Sequence, residues 1–251
     1  MRPVRKSEIR LDDLSWLTMP EKGWKEFRFL PAQKAFLETF ENLVFDQYAP
    51  HCQRYRRFSQ FKVVASHDSW ALSELPHRPF IQSARYNEFS GGILRHFEPL
   101  QCDIAPYIND VFSSLTINTS RTYHLDVHQY RVCATPQANG ISVPEGCHRD
   151  GQQCVAILVF RRHLITGAEM SLCDPATGQA LYKTVLGENT GIVLDDEKIL
   201  HDASPIAATG SEPGYRDYVV LNINEWEKRR YGEEFEHRAM AEPQNPFGNN
   251  S

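Results

Sequence analysis

The sequence lacks any long apolar run. Its longest wholly apolar stretch, Cys154–Phe160, is far shorter than the roughly 20 residues that a helix needs to cross a bilayer. The residues that follow the first Met are rich in Arg, Lys and Asp, so we expect no signal peptide. These absences predict a soluble cytoplasmic protein without a membrane partner.

An excess of positive charge is also missing. Lys and Arg together number 27 against 32 Asp and Glu, which gives a formal net charge of −5. Because no global field attracts polyanions, nucleic acid is not an expected partner. The 251 residues include 41% hydrophobic side chains, enough to bury a globular core in one large domain. No repeat or linker divides the chain.

Cysteine is present without the Cys-x-x-Cys spacing of zinc sites and redox motifs. A reducing compartment keeps thiols unpaired, so the sequence predicts free thiols and no disulfide framework. The six cysteines are Cys52, Cys102, Cys133, Cys147, Cys154 and Cys173.

The first part of the chain has helical periodicity. Between Pro31 and Pro50, apolar residues recur at intervals of three and four, and a similar stripe covers residues 104–115. These two segments predict helices in an N-terminal part of about residues 1–115. Their apolar faces must pack on another element, which we expect to be a sheet.

From about residue 125, short runs of β-branched and aromatic residues alternate with turn residues. We predict strands near residues 125–133, 153–160, 168–173, 180–186, 190–195, 199–203 and 217–223. The segment Asp174–Gly178 is typical of a hairpin turn. Short strands without intervening helices favour a jelly roll. We therefore predict a mainly β single domain over residues 1–235, with a core at about 120–225 and a flexible tail at 236–251.

Three side chains suggest a metal site. His148 and Asp150 are two residues apart, so in extended backbone they leave the same face and can reach one ion. His201 begins another predicted strand. Two histidines and one carboxylate form the facial triad that suits non-haem Fe(II), whereas structural zinc more often has a fourth protein ligand. Most His-x-Asp pairs are merely surface residues, so the pair alone is weak evidence.

Arg216 strengthens the case because it lies at the start of the last predicted strand. A planar guanidinium at that position can hold the remote carboxylate of a dicarboxylic acid in two hydrogen bonds while the other end of the acid chelates a metal.

The sequence at this point resembles the 2-oxoglutarate and Fe(II)-dependent dioxygenases. It is most similar to a small bacterial group that hydroxylates free amino acids, the L-isoleucine dioxygenase-like enzymes. The resemblance extends from about Tyr55 to Asn224, and Ala168 stands where the group's Gly-Gly-Glu turn has its second glycine. The segments that carry the resemblance are Pro144–Gly146, His148–Gly151, Arg161–Glu169, Leu194–Asp196, His201, Ser204–Ile206 and Arg216-Asp217.

The resemblance implies a double-stranded β-helix fold. It also implies that His148, Asp150 and His201 bind catalytic Fe(II), that Arg216 binds the cosubstrate 2-oxoglutarate, and that O2 is consumed. The implied reaction hydroxylates the side chain of a free L-amino acid and converts 2-oxoglutarate to succinate and CO2.

The strand predicted at 125–133 offers further candidates, because alternate residues of a strand face opposite sides. We predict that Gln129 and Arg131 face inward and bind the substrate, with an outer salt bridge as the alternative. A register shift of one residue would instead turn Tyr130 inward, where its hydroxyl could donate to 2-oxoglutarate. Ser142 in the following loop is a second candidate for that role.

Two other features have plain interpretations. The run Arg54–Phe58 interleaves cations with aromatic residues, a pattern that also occurs in single-strand nucleic-acid binding. Because the overall charge is negative, we interpret it as a strand or helix edge near the site that orients an anionic substrate group. Asp195 and Asp196 are interpreted as turn residues ahead of His201.

The sequence thus predicts a 2-oxoglutarate-dependent amino-acid hydroxylase. The alternative is a jelly-roll module that binds a metal or small ligand without turnover. A zinc hydrolase is disfavoured, because no Glu stands at helical spacing from a histidine pair. Sequence patterns specify neither the amino acid nor the oligomeric state.

Overall fold

Antiparallel strands dominate the computed structural model, which describes residues 16–67, 69–87 and 90–242. The strands are β1 (Leu17–Thr18), β2 (Trp24–Arg28), β3 (Val44–Phe45), β4 (Arg54–Ser66), β5 (Ser69–Glu74), β6 (Thr116–Ile117), β7 (Thr122–Ala134), β8 (Cys154–His163), β9 (Ile165–Gly167), β10 (Met170–Cys173), β11 (Ala180–Thr184), β12 (Thr190–Asp195), β13 (Leu200–Ala203), β14 (Ile206–Ala208) and β15 (Gly214–Glu225). The helices are α1 (Lys34–Glu38), α2 (Ala105–Ser114) and α3 (Glu233–Ala241), and short 3-10 helices cover Thr39–Asn42, Pro50–Cys52 and Trp226–Lys228.

The largest sheet has eight strands in the order β2-β12-β8-β15-β7-β4-β3, with β5 paired to β4. Its long central strands are in register, so that Arg54, Val132 and Arg216 lie side by side on β4, β7 and β15. Paired residues on neighbouring strands point to the same face. Two residues from the Arg216 and Val132 pair, the register of β15 and β7 aligns Tyr218 with Tyr130. These rows mark one face of the sheet, which we call the cavity face.

Two smaller sheets, β11-β10-β13 and β14-β9, pack on the cavity face. The core between the layers includes Val155 and Ile157 of the large sheet together with Met170, Leu172 and Ile206 of the small sheets. The large sheet on one side and the two small sheets on the other enclose one core, as in a jelly roll. This confirms the predicted fold class.

Helices α1 and α2 cover the opposite face of the large sheet. The Phe36 ring of α1 lies between Tyr107 of α2 and Phe160 of β8, with ring centroids 4.4 and 4.9 Å apart, respectively. Aromatic side chains bury large apolar areas, and this cluster fastens the helices to the sheet. The helix predicted at 104–115 is confirmed by α2.

The prediction that the N-terminal part is helical is wrong for most of its length. Helix α1 ends at Glu38, tightens into a 3-10 turn, and the chain then joins the sheet edge as β3. The long strand β4 contains Arg54–Phe58 and pairs with β7 from Arg54 to Val64. Because β4 is covered on both faces and carries buried arginines, it lacks the apolar alternation by which a strand is recognised.

The expected flexible tail from residue 236 is also corrected. Residues 236–241 belong to α3, and Glu236 forms an ion pair with Arg78, whose Nη2 lies 2.8 Å from Oε2. Residues 243–251 lie outside the described part of the chain. None of the described helices combines the length and apolarity that crossing a membrane requires.

The expectation of free thiols is wrong for two of the six cysteines. Cys147 and Cys173 form a disulfide with their Cα atoms 6.9 Å apart, whereas Cys52, Cys102, Cys133 and Cys154 are free. The fold brings the pair together because β10 and β13 are neighbours and His201 of β13 forms a β-bridge with His148. No local sequence spacing reveals this contact.

Candidate active site

The two histidines of the expected triad are held together by backbone pairing. The amide of His148 donates to the carbonyl of His201 at 3.0 Å, and the amide of His201 donates back at 2.9 Å. Their rings are 4.4 Å apart between centroids. Gly151 then turns the chain away with φ of +77°, a conformation that favours glycine. The backbone β-bridge between His148 and His201 therefore sets the spacing of their imidazole rings.

Asp150 completes the group. Its Oδ1 lies 3.4 Å from Nε2 of His148, and its Oδ2 lies 3.9 Å from Nε2 of His201. One ligand atom from each of the three residues lies within 4.8 Å of the others. Nδ1 of His148 donates to the Gly146 carbonyl at 2.9 Å, so Nε2 is the ring atom that can bind a metal once it has lost its proton. The set fits a divalent metal bound through two imidazoles and one carboxylate.

The three side chains perturb one another's pKa values. Burial opposes the charge on His148, but the hydrogen bond and charge of Asp150 outweigh it and raise the His148 pKa to about 9. Burial and the neighbouring His148 lower the pKa of His201 to about 4. Burial works against ionisation of Asp150, yet the two histidines lower its pKa overall. Asp150 is therefore a carboxylate at neutral pH, as a metal ligand must be.

Asp196 has a larger part in the site than its interpretation as a turn residue suggested. Its side chain is 1% exposed and accepts hydrogen bonds from the backbone amides of Asp150 and Gln152 at 3.1 and 2.8 Å. Its Oδ1 also lies 3.8 Å from Nδ1 of His201. Asp196 thus joins the two loops that carry the ligands.

A cavity of about 770 Å³, including its open mouth, extends from the triad between the two sheets. Its wall contains all three triad residues together with Arg216, Tyr130 and Ser142. The cavity therefore unites the metal site with every residue for which a role in binding 2-oxoglutarate was expected.

Arg216 is buried in this wall with 2% of its surface exposed. Its guanidinium lies 4.6 Å from the centre of the Tyr218 ring, and its Nε has no hydrogen-bond partner among the described residues. Burial, with a contribution from the nearby Arg162, lowers the pKa of Arg216 to about 10. A buried cation without a counterion is unfavourable, so this position is suited to an anionic ligand.

Gln129 and Arg131 are not in the cavity, which corrects their expected role in substrate binding. Nε2 of Gln129 donates to Thr39 Oγ1 at 2.8 Å on the helix-covered face. Nε of Arg131 donates to Asp217 Oδ1 at 2.7 Å, and Nη1 donates to Glu41 Oε2 at 2.6 Å. The alternative of an outer salt bridge is the one that the structure shows. The face of β7 that points to the cavity carries Tyr130 instead.

The segment between β5 and α2 contributes cavity residues that no sequence pattern identified. Nε2 of Gln82 donates to Oδ1 of Asp150 at 3.4 Å and to its backbone carbonyl at 3.1 Å. Arg95 and Asn87 line the same cavity. Their segment has neither helical nor strand periodicity, so these residues are recognised only when the tertiary structure shows them in the cavity wall.

Comparisons with known proteins agree with this geometry. A family model described as 2OG-Fe dioxygenase matches residues 37–222. No curated protein matches the chain. Among solved structures, a bsmA homolog from Methylobium petroleophilum PM1 is similar, with 27% identity over 76% of this chain and 80% of its own, and a TM-score of 0.64. IDO from Bacillus thuringiensis has 19% identity over 81% of this chain and 94% of its own, with a TM-score of 0.62.

The family match covers well over half of the chain, and the fold, the triad and the cavity with its buried cation are what such an enzyme requires. The chain therefore belongs to the 2OG-Fe dioxygenase family, whose oxygenases depend on Fe(II), 2-oxoglutarate and O2.

Proposed function

We propose that this dioxygenase hydroxylates the side chain of a free L-amino acid, with His148, Asp150 and His201 as the iron ligands. Bound at the triad, Fe(II) would supply the activation of O2 that couples oxidation of the substrate to decarboxylation of 2-oxoglutarate. The balanced reaction takes one amino acid, one 2-oxoglutarate and one O2 to the hydroxylated amino acid, succinate and CO2. A cytoplasmic location remains a prediction.

The observation that carries the proposal is the mixture of charges in the cavity. Besides Arg216, the wall contains other buried guanidinium groups and, apart from the proposed iron ligand Asp150, the carboxylates of Glu145 and Asp202. Glu145 accepts a hydrogen bond from Asn87 Nδ2 at 2.8 Å. Phe80, Met170 and Val220 add apolar surface. A free amino acid matches such a wall, because it carries a carboxylate, an ammonium group and a side chain on one carbon atom.

The protein's own groups bind and orient in this proposal. Arg216 holds the remote carboxylate of 2-oxoglutarate, and Tyr130 and Ser142 line the space beside it. Glu145 faces the substrate's ammonium group. The small sheets and the segment between β5 and α2 enclose the reacting centre, which limits access of water.

The test is succinate formation with each of the twenty free L-amino acids, followed by the product's mass. We expect one amino acid or a few similar ones to give succinate together with a product heavier by one oxygen atom. Anaerobic addition of Fe(II) and 2-oxoglutarate should give a weak visible charge-transfer band. His201→Ala should lose the band and the product while keeping its fold by circular dichroism.

Two results would contradict the proposal. If the band forms but no free amino acid raises succinate formation above the rate without a primary substrate, the amino-acid substrate is wrong. A protein that binds metal and 2-oxoglutarate but never forms succinate would instead support the alternative of a binding module without turnover.

A further inference from the structure

The cavity wall contains a second group of buried cations, separate from Arg216. Arg54 and Arg56 lie on β4, and Arg95 lies on the segment between β5 and α2. They are 9, 2 and 4% exposed. The carboxylate beside them is Asp46, which is fully buried. Three guanidinium groups thus share one counterion.

Arg54 makes the closest contacts with Asp46. Its Nε and Nη2 lie 2.9 and 2.8 Å from Asp46 Oδ2, and its Nη1 donates to the Ser142 carbonyl at 3.0 Å. Burial opposes the charge on Arg54, but the nearby Tyr130 and Asp46 outweigh it and raise the pKa of Arg54. Asp46 therefore makes its closest contacts with Arg54, its ion pair with Arg56 is longer, and no ion pair joins it to Arg95 among the described residues.

Arg56 is only weakly compensated. Its Nη1 is 3.7 Å from Asp46 Oδ2, and its Nη2 donates to Nδ1 of His128 at 2.5 Å. Burial and the nearby arginines hold the pKa of His128 well below its ordinary value, so the imidazole is a neutral acceptor. The guanidinium lies 3.8 Å from the centre of the Phe97 ring, and its Nε has no hydrogen-bond partner among the described residues.

Arg95 has only neutral hydrogen-bond partners in the described part of the chain. Its Nη1 donates to Ser90 Oγ at 2.9 Å, and its Nη2 donates to Gln82 Oε1 at 3.4 Å. The Phe80 ring contacts both arginines, with its centre 4.7 Å from the guanidinium carbon of Arg95 and 5.5 Å from that of Arg56. Its Nε has no hydrogen-bond partner among the same residues.

Arg56 and Arg95 thus lack a full counterion among the described residues, and two such buried cations are unfavourable in a folded protein unless an anion joins them. That anion cannot be the cosubstrate's remote carboxylate, which the proposed function assigns to Arg216. Since all of these groups line one cavity with the iron ligands, the anion belongs to the primary substrate.

We infer that Arg95, together with Arg56, binds the carboxylate of the primary substrate. The inference rests on the proposed function and adds to it the residues that anchor the amino acid. Gln82 links Arg95 to the metal site, because its Oε1 accepts a hydrogen bond from Arg95 and its Nε2 donates one to the iron ligand Asp150. The substrate's carboxylate is thereby held at a set offset from the metal, and this offset selects the carbon that reacts.

The test compares each amino acid with its primary amide, which removes the negative charge and keeps the shape. Binding is measured by calorimetry without O2, on protein loaded with Mn(II) and saturated with 2-oxoglutarate. We expect wild type to bind the acid about 30- to 150-fold more tightly than the amide. In Arg95→Met this preference should fall to within about threefold, because the variant weakens binding of the acid and not of the amide.

Arg57→Met is the matched control. Arg57 is a buried arginine of the same strand β4, but its Nε and Nη1 donate to the carbonyls of Asn42 and Pro99 on the other face, each at 3.0 Å. It should keep the preference of wild type for the acid. Arg95→Lys, which retains the charge without the planar fork, should keep part of it and also serves if Arg95→Met does not fold. Retention of the full preference by both Arg95→Met and Arg56→Met would overturn the inference.

A second probe separates this inference from the proposed function. Propionate carries a carboxylate and no amine, and its binding to the same loaded protein can be followed by ligand-observed NMR. If no amino acid binds but propionate binds in an Arg95-dependent manner, the carboxylate site stands and the amino-acid substrate is wrong. If an amino acid binds and the charge preference is absent in wild type, the amino-acid substrate stands and the carboxylate site is wrong. If neither probe binds, both are wrong.

Discussion

Replacement of Arg216 by Met should separate 2-oxoglutarate binding from every other property of the site. Burial lowers the pKa of Arg216 from 12.5 to about 10, which corresponds to an unfavourable environment for its charge on the order of 3 kcal/mol. A ligand carboxylate would offset this by a charge-assisted contact worth about 2–3 kcal/mol. Arg216→Met should therefore raise the apparent constant for 2-oxoglutarate about 30- to 150-fold.

The same change should stabilise the protein when 2-oxoglutarate is absent. Arg216 is charged in both the folded and the unfolded state below about pH 10, and there the full cost of burying this charge lowers the free energy of unfolding. Loss of the charge in Arg216→Met should therefore raise the free energy of unfolding at pH 7.5. Thermal unfolding of Mn(II)-loaded protein checks both expectations. Added 2-oxoglutarate should raise the Tm of wild type and leave the Tm of Arg216→Met almost unchanged, although the variant starts from a higher Tm.

Two further variants sharpen the experiment. Arg216→Lys should recover only part of the lost affinity, because an ammonium group cannot reproduce two parallel hydrogen bonds. Arg57→Met should respond to 2-oxoglutarate as wild type does. The reasoning is refuted if Arg216→Met keeps the 2-oxoglutarate dependence of wild type while its use of the amino acid is impaired. Arg216 would then be the residue that binds the substrate's carboxylate.

Three other outcomes are expected. The pKa of His148 is raised to about 9, so its proton must leave when a metal binds at pH 7.5. The calorimetric heats of Zn(II) binding should therefore depend on the buffer and indicate release of about one proton. Equal heats in all buffers would contradict this. Arg131→Met should lower the free energy of unfolding by about 1.5–3 kcal/mol, because Asp217 loses one of its two arginine partners and keeps Arg161. The constants for 2-oxoglutarate and the amino acid should change less than about twofold; a large kinetic effect with little change in stability would restore Arg131 to the site. Unreduced protein in denaturant should give four titratable thiols, and six would show that Cys147 and Cys173 are not paired.

Local patterns in the sequence were sufficient for the strands of the jelly-roll core and for the His148 and Asp150 pair of the metal site, whereas His201 joins them only through a long-range backbone bridge. The strands after residue 125 were predicted because period-two alternation and turn residues report on the nearest few neighbours in the chain. His148 and Asp150 share a face because two residues of extended backbone point the same way. In these cases the structural feature is caused by residues a few positions apart in the chain, so it can be predicted from the sequence alone.

Other parts of the site depended on contacts between distant segments. Whether Tyr130 or Arg131 faces the cavity depends on which face of β7 the small sheets cover, and the alternation along the strand is equally consistent with both. Arg131 faces the helices because Asp217 and Glu41 surround it there. The role of Asp196 likewise arises only when the loop that carries Asp150 folds against it.

The sequence by itself thus determined where most strands of the core lie and which residue types form the metal site, and it predicted an anion-binding role for Arg216. Only the tertiary structure decided that β4 is a central strand, that Cys147 meets Cys173, and that Arg95 joins Arg56 over the cavity. The physical reason is that burial and charge balance are properties of the folded surroundings. An arginine in a polar sequence looks solvated until the fold removes its water and leaves it without a carboxylate.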